Sequence, residues 1–296
     1  MTTVHQLIET CRQRYILAGH REERNRLATP VSDSDPVLSM TYALGSITRG
    51  SVISVGLEDC YVWSVNGATA EVDRGTFGSV AAAHDQGDTA LVNARPTPQA
   101  VLAAINEVVI ELSNMGLYQE RHTDIVIDGA AVPYDLATIG YMAPIEVRVE
   151  VDRTTDDWPL IFGWEVVGAA PTTQFASGRA LRVFDSIPSG RTVRFRYQAE
   201  LTAGLTGLDD DVETITGIPP WAVDVLPLGA AVLLTGGREI ARSDDTSQGD
   251  TRRAEEVPPN ANLLAVRGVL ALYEQRIAAI RRRLNKTNPQ RMRAVR

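Results

Sequence analysis

The chain has 296 residues, 44% of them apolar and 22% charged, enough to bury a sizeable core in one large or two moderate domains. Its longest apolar stretch, 223–237, is interrupted by Asp224 and Pro227, and the N-terminus lacks the basic and apolar regions of a signal peptide, so no membrane span or export is expected. The net charge of −8 is uneven: residues 275–296 carry eight basic groups and no acid, leaving 21 basic against 37 acidic residues in the rest.

The first helix is predicted over 4–27, where Val4, Ile8, Cys11, Tyr15 and Ala18 fall at spacings of four and three. Residues 29–36, rich in proline, aspartate and serine, break it. Strands are predicted at 51–57 and 61–65, separated by Glu58-Asp59, followed by the hairpin signal Asn66-Gly67 and further strands at 70–74 and 89–93. Thr97-Pro98 opens a second helix, with Val101, Leu102, Ile105, Val108, Val109 and Leu112 on one face, ending at 113–116. Short β-like runs follow at 125–128, 145–152, 160–167, 181–185 and 192–201. Strict alternation in 146–151 and 193–197 marks half-buried antiparallel strands of a small β-sandwich.

Pro219-Pro220-Trp221 begins a third helical region, bent at Pro227 and apolar all round at 228–234; the polar stretch 243–260 reads as a long loop. The last helix has the clearest seam in the chain, Leu263, Val266, Leu270, Tyr273, Ile277, Ile280 and Leu284, suited to packing between helices. The expected fold is therefore α+β. About four helices form a bundle with a small hairpin sheet, and an antiparallel β-sandwich is inserted between the second and third helices. The domains are 1–117, 118–202 (the insertion), 203–288 and a basic tail, 289–296.

A Walker loop needs a lysine after its glycine, and the sole lysine is Lys286, so nucleotide hydrolysis by that route is excluded. His-Glu-x-x-His, Gly-x-Ser-x-Gly and Gly-x-Gly-x-x-Gly are absent. His5, His20, His84 and His122 lie on separate predicted elements, and Cys11 and Cys60 form neither a zinc spacing nor a disulfide framework. Asp209-Asp210-Asp211 with Glu213 offers oxygens for a divalent cation, although adjacent acidic side chains diverge and a solvated linker is the preferred reading. Trp158, Phe162 and Trp164 offer a sugar-stacking platform or a core. The arginine-rich end suits phosphates, an acidic protein surface or plain solvation. No catalytic residue, cofactor or metal site is assigned.

The segment 72–93, with Arg74-Gly75, Gly78-Ser79, His84 and Gly87 between two strands, resembles one that recurs in tailed-phage virion proteins. Ser79 stands where that family often has threonine. Arg95-Pro96 and the helix 101–107 look like the continuation found in actinobacteriophage neck proteins. The closing part, 218–221 through 230–234 and 238–240 and then a long arginine-rich helix, is similar to the helical core of head-to-tail adaptors. The β-domain between Tyr118 and Leu201 has no counterpart in the smallest adaptors. The resemblance implies a non-enzymatic virion protein of the neck, made in the host cytoplasm. It would form a homo-oligomeric ring of about twelve copies between portal and stopper or tail terminator, with packaged DNA passing through without sequence-specific binding. It also implies portal docking by the basic C-terminal residues, here Arg281, Arg282, Arg283, Lys286, Arg291, Arg293 and Arg296. Another neck or tail component, or a carbohydrate-binding module, is the alternative.

Overall fold

The computed structural model describes residues 2–16, 23–43, 45, 47–127, 133–136, 141–150, 157–246 and 261–287. The chain divides into two compact units: Met1–Glu111 with Ala203–Arg282, and Leu112–Thr202 with Arg283–Arg296. The architecture is mostly β, not the helical bundle with a small hairpin sheet that the sequence predicts.

In the first unit six antiparallel strands form one curled sheet. These are β1 (Glu23–Arg26), β2 (Val37–Ser39), β3 (Val52–Val55), β4 (Glu58–Asn66), β5 (Thr69–Asp73) and β6 (Thr89–Val92), in the order β1-β6-β3-β4-β5-β2. Its edges meet: Ala28 N donates to Ser39 O and Thr41 N to Arg26 O, each at 2.8 Å, around the pair Leu27 and Met40. Inside the curl Leu27, Leu38, Met40, Ile53, Cys60, Val62, Ala70 and Ala90 are almost fully buried. Each large apolar side chain there contributes about 1.5–3 kcal/mol relative to exposure.

The curl explains why the predicted helix 4–27 is wrong. Helix α1 (Val4–Thr10) opens on a capping box between Thr3 and Gln6 and continues as a single wider turn, Cys11–Ile16. Residues 23–26 are polar and helix-compatible, yet β6 offers them a complete ladder, Asn25 ties its side chain to the Tyr42 backbone, and Leu27 fills the sheet interior. Tertiary pairing overrides local propensity here.

Three helices complete this unit: α2 (Pro98–Asn114), α4 (Val225–Thr246) and α5 (Ala261–Thr287), with a short α3 (Val212–Thr216) before α4. The Thr97 hydroxyl caps α2 at 3.2 Å from Ala100 N, and α2 buries Val101, Leu102, Ile105, Val108 and Leu112. At Gly229 helix α4 lies close against both α2 and α5. A Cβ there would lie 2.8 Å from Val108 and 2.9 Å from Tyr273, so only glycine lets α4 touch both neighbours. Part of the predicted loop 243–260 is helical, up to Thr246, and 247–260 lie outside the described residues.

The second unit holds two antiparallel sheets. One comprises β7 (Gln119–Val126), β9 (Tyr141–Val149), β10 (Leu160–Ile161) and β13 (Thr192–Ala199) in the order β10-β9-β13-β7. The other comprises β8 (Tyr134–Asp135), β11 (Trp164–Val167) and β12 (Ala180–Val183) in the order β11-β12-β8. They share a core in which Val147, Val193 and Phe195 of the first meet Leu181 and Trp164 of the second. The opposite face of the larger sheet is a ladder of ion pairs: Arg194 grips Asp124 at 2.8 and 2.9 Å, and Arg196 joins Glu120 to Glu146. The predicted inserted sandwich, 118–202, lies within this unit.

Candidate functional site

Among the described residues, a dense cluster of charged and titratable side chains sits at one rim of the curled sheet. Glu58, the first residue of β4, has a side chain only 1% exposed, between Arg74 at 7% and His84 at 9%. Arg74 grips it bidentately, Nε to Oε1 at 2.6 Å and Nη2 to Oε2 at 2.7 Å. His84 Nε2 lies 2.8 Å from Oε2, and the backbone N–H groups of Gly75 and Ala82 donate to the same carboxylate at 3.0 and 3.2 Å. Arg74 spends its remaining N–H groups on the carbonyls of Ser32, Asp35 and Ala82. Burial alone would raise the Glu58 pKa, but these hydrogen bonds and the guanidinium outweigh it and bring the carboxyl down from 4.5 to about 2.

Next to it, burial pushes the Asp59 carboxyl upward, against a 2.6 Å bond from the Ser54 hydroxyl. The Asp59 backbone holds the loop as well: its carbonyl accepts from Thr76 N and Thr76 Oγ1, both at 2.8 Å, and its N–H donates to Ser79 Oγ at 2.9 Å. The stretch 74–84 is thus fastened at both ends and in its middle. Arg74 has all its donors engaged and Glu58 accepts along every accessible direction, so neither is left open to a substrate. This is a structural clamp in which a charged pair is fully compensated.

The clamp displays the loop between its ends. Phe77 is 68% exposed and Val80 81%, and Phe77 has a φ of +54°, a left-handed conformation that a bulky residue adopts only when its surroundings impose it. Gly75, φ +61°, makes the turn: a Cβ there would stand 2.9 Å from Ala81 N. The break between strands that the sequence places at Glu58-Asp59 is corrected: Glu58 begins β4, and its carboxylate meets His84. The signal for it was the arginine at 74, one residue before the glycine turn, facing an acidic pair between apolar strands.

Of the predicted helix seam, Tyr273, Ile277, Ile280 and Leu284 are buried and Leu270 is 37% exposed. The side chains of Leu263 and Val266 lie outside the described residues. Helix α5 is therefore exposed at 267, 268 and 270–272, and its buried face begins at Tyr273. Tyr273 donates to Glu111 at 3.3 Å, and burial together with that carboxylate pushes its hydroxyl pKa well up. Among the arginines expected to dock on a portal, Arg281, Arg282 and Arg283 are exposed on α5. Arg291, Arg293 and Arg296, and the side chain of Lys286, lie outside the described residues.

The acidic run does not converge. Asp210 accepts from Thr206 N and Gly207 N at 2.7 and 2.8 Å, Asp211 from the Thr214 hydroxyl, and Glu213 from the Thr2 hydroxyl. Among the described residues no group of three or more His, Cys, Asp or Glu could hold a metal ion. The aromatic trio is split as well. Trp158 carries the Arg194 guanidinium 4.0 Å from its ring centroid and Phe162 is exposed, whereas Trp164 packs edge-on to Phe195 in the core. Cys11 and Cys60 are buried thiols, pushed up to about 12 by burial. No described helix is long and apolar enough to cross a membrane. The chain matches no protein-family model and no curated protein.

Proposed function

We propose that the chain is a non-enzymatic structural subunit of a tailed-phage particle, an adaptor ring in the neck between the portal and a stopper or tail terminator. One observation carries this reading. The segment 72–93, through which the sequence resembles tailed-phage virion proteins, is the segment fastened to Glu58 with Phe77 and Val80 turned to solvent. A rigid scaffold presenting an apolar tip lowers the ordering cost of assembly, and that is the form an assembly contact takes. The acidic body repels phosphates, which suits passage of packaged DNA rather than its retention. A channel lined by a helical core is no part of the proposal, because that core is replaced by the curled sheet.

The test is binding to purified, DNA-free portal rings encoded by the same genome, followed by electron microscopy for a ring of added density. Truncation after Leu284, which removes Lys286, Arg291, Arg293 and Arg296, should leave a folded chain that no longer binds those rings. Full-length protein that leaves the portal bare overturns the adaptor assignment. The second reading, which the absence of the helical core leaves standing beside the adaptor, is a stopper or tail terminator. In that case the chain binds the end of the tail tube or another neck ring instead of the portal.

A further inference from the structure

We propose that Asn66 is a self-modification site: in the folded chain the Gly67 backbone nitrogen displaces its side-chain amide, and the isoaspartyl linkage that results loosens the hold of the β4–β5 hairpin on Met40.

Asn66-Gly67 is the single Asn-Gly pair in the sequence. Asn66 ends β4 and pairs with Thr69, the first residue of β5, so Gly67 and Ala68 form a two-residue turn. Gly67, at φ +63°, takes the central position that calls for glycine. Asn66 and Gly67 are both exposed, and a Cβ added at Gly67 would meet nothing within 4 Å, so the nitrogen is unshielded. Among the described residues neither the Asn66 side chain nor the Gly67 N–H has a hydrogen-bond partner. Other asparagines are held. Asn25 bonds the Tyr42 backbone through both ends of its amide, Asn93 joins Val52 N to the Ser51 hydroxyl, and Asn106 spans Gly204 and Leu205. The residues after them are Arg26, Ala94 and Glu107, each with a side chain beside the nitrogen that would have to attack.

The chemistry needs water and no other reagent. The Gly67 nitrogen, giving up its proton, bonds to Asn66 Cγ; the Cγ–Nδ2 bond breaks and ammonia leaves with that proton. Water then opens the five-membered imide. Breaking the nitrogen–Cγ bond restores an ordinary backbone with an aspartyl side chain, whereas breaking the bond to the former backbone carbonyl leaves the chain running through Cγ, one atom longer.

The longer linkage falls at an anchored turn. The Asn66 carbonyl, which accepts from Thr69 Oγ1 at 2.8 Å, becomes a free carboxylate. The added atom displaces Ala68, whose carbonyl accepts from Met40 N at 2.8 Å. Met40, 2% exposed, stands opposite Leu27 where the curled sheet closes, so the tip of the hairpin is coupled to that closure.

The test is to incubate the folded full-length chain in heavy-oxygen water at physiological temperature and neutral pH, and then to digest it with trypsin in ordinary water. Cleavage after Arg49 and Arg74 releases the peptide 50–74, in which Asn66 is the only amide side chain, so heavy oxygen gained there by mass spectrometry reports on this residue. Two labelled forms, aspartyl and isoaspartyl, should accumulate and separate by chromatography, while Asn25, Asn93 and Asn106 stay unlabelled. Asn66→Gln, which would have to close a larger ring, should gain no label. In the isoaspartyl protein, isolated by its added negative charge, the Met40 amide should exchange with deuterium about tenfold faster than in fresh protein, the loss of about one hydrogen bond. Aged Asn66→Gln should keep the parent rate. Asn66 that stays unlabelled in the folded chain while a synthetic 50–74 peptide converts, or label spread equally over Asn25, Asn93 and Asn106, overturns the site. An isoaspartyl form whose Met40 amide exchanges at the parent rate overturns the coupling to the closure.

Discussion

Replacing Glu58 by glutamine keeps the shape of the side chain and removes its charge, leaving the Arg74 guanidinium buried without a counter-charge. Removing one member of a buried pair costs about 3–5 kcal/mol. The displacement of the Glu58 pKa gives a second route to the same quantity. A fall from 4.5 to about 2 corresponds to roughly 3 kcal/mol of native-state stabilisation at neutral pH. The folded pKa lies below the unfolded one, so this stabilisation is complete above the unfolded value and is lost as pH falls from about 5 through about 2. Urea denaturation read by hydrogen exchange of peptides from β3 to β6 isolates the curled sheet from the second unit. Glu58→Gln should lower its stability by about 3 kcal/mol at pH 7, and the gap should narrow by about 2 kcal/mol at pH 3. A variant within about 1 kcal/mol of the parent at pH 7, or a gap independent of pH, refutes the clamp as a source of stability.

Three further outcomes follow from named contacts. Gly229→Ala gains up to about 1 kcal/mol of helix propensity but forces α4 away from Val108 and Tyr273, so thermal denaturation should show a net loss of about 1–3 kcal/mol. Phe77→Gly relieves the positive φ and should leave stability unchanged or raise it by up to about 1 kcal/mol in urea titrations; a loss larger than 1 kcal/mol would mean that the ring contributes to folding rather than only to the surface. Cys11 and Cys60 should both resist a thiol reagent at pH 8 in the native chain and react on addition of urea, since burial holds both as thiols.

The elements whose periodicity is carried by their own side chains were readable from the chain alone. Helix α2, with its Thr97 cap and apolar face, and β13, with Val193, Phe195 and Tyr197 on one side, are cases where local pattern and final burial coincide. The curled sheet was not readable because its closure depends on partners far apart. Residues 23–26 carry no alternation of apolar side chains, and β6, not their own pattern, makes them a strand. Glu58 looked like a turn residue because charged groups seldom lie inside, and only the arrival of Arg74 and His84 through the fold makes its burial tolerable. In α5 the seam is evident, but a sequence does not say how many residues of it a single chain covers.

The meeting of β1 with β2 and β6 also sets an order of events in time. Strands β3, β4 and β5 follow one another through short turns and can pair as soon as they are synthesised, whereas Glu23 must wait for Val92. Loop closure over that separation is slow compared with forming a local meander. Until β6 arrives the outer edge of β3 exposes unpaired backbone groups, the usual route to edge-to-edge aggregation. Residues 74–84 connect β5 to β6, so the contacts that fasten them to Glu58 at the start of β4 also hold the segment that leads β6 to the edge of β3.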